Sequence, residues 1–100
     1  MKSKTHSAKS RLTIWDIPKL SVEDLKRLLA EVPPDVLELA ILDVNAEIRN
    51  KIYGALSADA KNALHSQYTA RKSNIHNNQA LLDDVLHAQE RISKIMAGLF

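Results

Sequence analysis

The sequence predicts an all-α fold, a compact bundle of five to six short helices. Three observations carry this. Apolar residues recur at spacings of three and four over most of the chain, the period of a helix with one buried face. Ser or Asn residues stand where such runs begin, as helix N-caps do. Two Gly and three Pro in 100 residues leave few of the tight turns that a sheet needs. A hydrophobic share of 45% can fill a core, and one Trp, one Phe and two Tyr make that core aliphatic.

Taken in order, Met1 to Ser10 is polar, basic and without period, and is expected to be a disordered tail. Residues 11–100 are expected to form a single domain. Leu12, Ile14 and Trp15 are apolar and are expected to pack onto that domain, with Pro18 breaking any regular element. Ser21 opens a helix that runs to about Glu31, with Val22, Leu25, Leu28, Leu29 and Val32 as its buried face. Pro33 and Pro34 stop it, and Pro34 can start the next helix in its first turn. That next helix carries Val36, Leu37, Leu39, Ala40 and Ile41, apolar nearly all round, and should be the most buried.

Two helices are then expected to meet at Ser57. Asn45 caps the first, whose stripe is Ile48, Ile52, Ala55 and Leu56. Ser57 caps the second, with Asp59 near its positive end and Ala60, Ala63 and Leu64 continuing the stripe. The small alanines would let the pair approach closely. The second helix should end at Ala70 or Arg71, and Lys72 to Asn78 reads as a loop. A last helix from about Gln79 to Leu99 carries Leu82, Val85, Gln89, Ile92, Met96 and Leu99, with Leu81, Leu86, Ala88 and Ile95 widening the stripe.

Several function classes lose their footing at once. There is no Cys, hence no disulfide, thiolate nucleophile or thiolate metal site. The net charge of +2 hides a division. Lys2, Lys4, Lys9 and Arg11 carry four positive charges, while the rest holds ten basic and twelve acidic residues, a net −2. A nucleic-acid reader places its basic charge on the folded face. A helix-turn-helix reading would offer Asp59, Lys61, Asn62 and His65, a poor set for phosphates and bases. Asp83 and His87 are four apart, but a metal wants three or four converging ligands. Asp83 and Asp84 point in different directions on a helix, so they make no acid/base pair. His65 and His76 lack a nucleophile motif, and Gly54 and Gly98 are isolated. No enzyme, no cofactor and no metal are therefore expected. No apolar run approaches a membrane span, and no secretory signal is visible, so a cytoplasmic protein without membrane insertion is expected.

The order of segments resembles the C-terminal domain of the flagellar motor switch protein FliG. Leu12 to Ile17 is similar to that family's Met-Phe-x-Phe hinge and the acidic text after it. Leu20-Ser21 and the run Leu25 to Val32 resemble its next helix, and Leu37 to Ile41 the Leu/Ala-rich one beyond. Ile48-Arg49, Lys51-Ile52 and Leu56-Ser57 resemble its Leu-Arg-Glu-Lys-Ile … Asn-Met-Ser run, with Ala60 and Leu64 in step. Val85, Ala88-Gln89 and Ile92 fit the closing helix. The resemblance spans about residues 11–99 and does not reach the family's preceding domains, so the chain is expected to be a divergent, stand-alone unit.

What the resemblance implies is armadillo-like superhelical packing and a role in bacterial motility and chemotaxis, through contact with flagellar switch or stator components. It also implies a surface: Asp59, Lys61, Asn62, Ser66, Gln67 and Arg71 on the helix after Ser57 become the candidate partner-binding residues. The departures fall on the same helix. A basic residue after the Ser stands as Asp59, and a later pair of acids stands as Ser66 and Gln67. The hinge aromatics stand as Leu12 and Ile14, and the loop from Arg71 to Asn78 lacks a Gly-Pro-Val-Arg-like turn. Charge pairing needs opposite signs at matched places, so pairing with the usual stator partner is expected to fail. The alternatives are a helical adaptor or regulator outside the motor, and a small nucleic-acid binder using the basic tail.

Overall fold

The computed structural model describes residues 12–100. The expected basic tail, Met1 to Ser10, lies outside the described residues. Those described hold five α-helices, three 3₁₀ segments and no strand. The helices are α1 (Val22–Glu31), α2 (Pro34–Ala40), α3 (Ala46–Gly54), α4 (Ala58–Arg71) and α5 (Gln79–Leu99). The 3₁₀ segments are Ile14–Lys19, Ile41–Asp43 and Lys72–Asn77.

Four of the five helix starts are set by a short polar side chain that accepts from an otherwise unpaired N–H. The Asp24 amide donates to Ser21 Oγ at 3.1 Å, Ile48 to Asn45 Oδ1 at 2.9 Å, Ala60 to Ser57 Oγ at 3.2 Å, and Leu81 to Asn78 Oδ1 at 3.0 Å. Helix α2 has no side-chain cap. It begins instead on Pro34, whose missing N–H costs nothing in a first turn.

The spine is α5. Its buried stripe is Val85, Ala88, Gln89, Ile92 and Met96. Helix α2 packs along it most extensively, and α1 and the Ile14–Lys19 segment close over its C-terminal half. Helix α3 packs on Ile14–Lys19, and α4 lies against α2 and the Ile41–Asp43 and Lys72–Asn77 segments. The main core joins Ile14, Ile17, Leu25, Leu28, Ile41, Ile48, Ile52, Ile92 and Met96, each essentially removed from solvent. A smaller cluster of Leu42, Ile75 and Val85 seats the Lys72–Asn77 segment.

Polar ties link these apolar layers. Lys51 Nζ donates to the carbonyls of Pro18 at 2.9 Å and Leu20 at 2.6 Å, so a cation from α3 meets the negative end of the first 3₁₀ segment. At the other end of that segment, the Thr13 amide donates to Asp16 and the Trp15 amide to Thr13 Oγ1, a capping box. The Thr13 amide, and Lys19 beside it, hold the Asp16 carboxyl below its usual range. From α5, Ser93 Oγ accepts from the Ile14 amide at 3.2 Å, and Gln89 Nε2 donates to the carbonyls of Ala40 and Asp43, both at 3.1 Å.

Some expectations are corrected. Pro18 does not break its segment; it sits inside a 3₁₀ turn, which accommodates its fixed φ. Trp15 is exposed, and Ile17 takes the buried place beside Ile14. Val22, at the first helical position of α1, faces solvent, as does Leu86 on α5. Lys72 to Asn77 is not an open loop but a 3₁₀ segment anchored by the buried Ile75. The close approach of α3 and α4 through alanines does not occur: Ala60 and Ala63 are exposed, and Leu64 is the single buried residue of α4.

Candidate functional site: the exposed helix after Ser57

Helix α4 is fourteen residues long and buries only one of them. A helix held by so little apolar contact gains little stability from its own sequence. Its fixed ends do the holding: Ser57 caps the start, and the anchored 3₁₀ segment continues from its end. The result is a polar rod attached along one edge.

All six candidate residues lie on this rod. Asp59, Lys61, Asn62, Ser66 and Gln67 are exposed, and Arg71 is half-buried. They do not form one patch. Asp59, Asn62 and Ser66, spaced three and four apart, share the outer face. Gln67 and Arg71 are also four apart and stand on a neighbouring flank, nearer the buried Leu64. Lys61 falls on the other flank, in line with His65 and Tyr68. On the Leu64 side, the exposed Ala60 and Ala63 border an apolar cleft of about 230 Å³, with Leu29, Leu37 and Leu56 on its other walls.

The flank with Lys61 leads to a cluster that sequence reasoning missed. The Arg49 guanidinium of α3 lies 4.4 Å from the Tyr68 ring centre, and Lys72 Nζ lies 5.4 Å from the same centre. His65 stacks on Tyr68 with ring centres 6.1 Å apart and meets Tyr53 edge-on at 5.6 Å. The Tyr53 hydroxyl is 3.1 Å from His65 Nδ1 and donates to it when that nitrogen is unprotonated. Burial pushes the Tyr53 phenol above its usual value, with Arg49 opposing, so it keeps its proton at neutral pH. The available signals were Arg49 four residues before Tyr53, and His65 three before Tyr68. What brings the two pairs together is tertiary packing, which no local spacing reports.

No group of three His, Asp or Glu side chains able to hold a metal occurs among the described residues. No helix among them is long and apolar enough to cross a membrane. Asp83 is engaged locally, accepting from Gln79 Nε2 at 3.0 Å.

An all-α scaffold that holds one polar helix by its ends and one edge is the class these features define. The chain belongs to the FliG C-terminal domain family, whose family model matches residues 4–99, a family of non-catalytic motor-switch domains. No curated protein and no solved structure matches the chain.

Proposed function

We propose that the protein is a non-enzymatic, cytoplasmic protein-interaction module of the motor-switch type, whose partner-facing helix carries altered charges. The supporting observation is α4: one buried residue in fourteen, with Asp59, Asn62 and Ser66 aligned on its outer face. A surface helix that contributes so little to the core is free to vary toward a partner. Family membership makes a flagellar switch or stator component the first partner to test. The acid at Asp59 and the neutral side chains at Ser66 and Gln67 argue that the usual stator pairing is lost.

The test is restoration. Asp59→Arg, Ser66→Asp and Gln67→Asp together return the charge order the family resemblance implies. Binding to a stator cytoplasmic segment, measured by calorimetry at low salt, should be absent or weak in the native chain. It should strengthen by about tenfold or more in the triple variant, the gain expected for well-placed charge pairs. Native binding as tight as the variant's would show that these positions do not govern the contact. The exposed Ser66→Asp and Gln67→Asp should leave stability within about 0.5 kcal/mol, and Asp59→Arg, a cation in the first turn of α4, should cost about 1 kcal/mol without unfolding the domain.

A further inference from the structure

The flank of α4 turned away from Asp59 and Ser66 carries a second feature. Arg49 and Lys72 come from different elements, yet both cations converge on one ring, Tyr68. Cations drawn together in a fold are ordinarily neutralised by carboxylates. Here the ion pairs among the described residues are Lys19 with Asp16 and Arg27 with Asp24, and neither involves Arg49 or Lys72. The aromatic ring holds the two cations in place of an acid. Cation–π contact occupies the faces of the ring and not all the N–H donors of the cations, so donors of both Arg49 and Lys72 stay available for an incoming anion. The ring is itself braced, since His65 stacks on it and is tied to the buried Tyr53.

We infer that Arg49, Tyr68 and Lys72, flanked by His65 and Lys61, form a docking site for an acidic peptide segment of a protein partner. Charge complementarity selects the occupant. Two unpaired cations about one ring suit carboxylates spaced along a peptide, and an apolar side chain of that peptide can lie against the exposed edge of the aromatic pair. A nucleic acid fits less well. Its affinity grows with the number of phosphates neutralised along a track, and residues 12–100, this patch included, hold ten basic against twelve acidic side chains. The site lies on a different flank from the outer-face residues discussed above and stands independently of the restoration test.

The experiment titrates the full-length chain into a short fluorescein-labelled oligoglutamate, read by anisotropy at low salt, in parallel with a labelled single-stranded DNA of equal charge. The basic residues Lys2, Lys4, Lys9 and Arg11 are present throughout, so the comparison between variants carries the result. Arg49→Gln with Lys72→Gln should weaken oligoglutamate binding about tenfold, and Tyr68→Leu should weaken it as well. Asp59→Asn with Asn62→Ala should not weaken it. Should the half-buried Arg49→Gln compromise folding, the exposed Lys72→Glu gives the same reading alone. Equal binding by native chain and folded variants would overturn the site. Tighter binding of the DNA, lost in the same variants, would overturn the choice of a peptide.

Discussion

Replacing Gln89 by leucine is expected to destabilise the fold by about 2–3 kcal/mol, although leucine suits the apolar stripe around it. Gln89 is 7% exposed and donates through one amide to two carbonyls, those of Ala40 and Asp43. These close the end of α2 and of the 3₁₀ segment after it. Ala40 is fully buried, so water cannot replace the lost donor there, whereas Asp43 is exposed and can be rehydrated. Leaving the buried Ala40 carbonyl with only its 3₁₀ partner costs about 1–2 kcal/mol, and the second bond about 1 more, less what the leucine gains by packing. For a domain of this size the midpoint of thermal unfolding should fall by about 10–20 °C.

A Gln89→Glu variant makes the same point through pH. An ionised carboxylate only accepts, and it would face two carbonyls, so the folded state would favour its protonated form. Its pKa in the fold is then raised above the unfolded value of about 4.3. The sign follows: stability is present below that value and lost as pH rises through the higher one. The variant should gain stability on acidification relative to Gln89→Leu. Parallel pH profiles for the two would show that Gln89 acts by packing alone.

The second large effect is at Ile52. It is fully buried in α3, among the side chains that join this helix to Ile14 and Ile17. Ile52→Ala should cost about 3–4 kcal/mol, and Ile52→Val about 1 kcal/mol. The loss is large because the surroundings cannot collapse into the gap. Lys51 beside it is fixed to the carbonyls of Pro18 and Leu20, and the capping box of Thr13 and Asp16 fixes the far end of the same segment. Denaturant titration of the two variants checks the ratio. Equal, small effects would mean that this corner of the core is loosely packed.

The same contrast shows what the sequence made legible. Caps are local devices, so Ser21, Asn45 and Ser57 could be read directly, and α1, α4 and α5 end where the expectations placed them. Periodicity found the faces of α3 and α5 but not where a face leaves the core. Val22 and Leu86 have the right spacing and the wrong position. Ala60 and Ala63 failed for a related reason. A small apolar side chain suits a tight helix contact and an open cleft equally, and only the placement of α2 decides between them. Ile75 was hidden among Asn and Ser, whose turn chemistry is compatible with a 3₁₀ segment as well as with a loop.

The candidate surface was legible only in part. The resemblance pointed to α4, and the exposure of Asp59, Lys61, Asn62, Ser66 and Gln67 agrees with a surface role for that helix. Which of them share a face follows from helical geometry. Of the Arg49–Tyr68–Lys72 cluster only the four-residue spacing of Tyr68 and Lys72 is local; Arg49 joins them once α3 and α4 are folded together.

The most direct measurement of whether α4 meets a partner is photo-crosslinking in cells from single exposed sites. A crosslinker at Asn62, on the outer face of α4, should give a discrete adduct containing a flagellar switch or stator protein. One at Glu90, exposed on α5, should not give that adduct. Adducts with the same protein from both sites, or from Glu90 alone, would contradict a partner-facing role for the helix that follows Ser57.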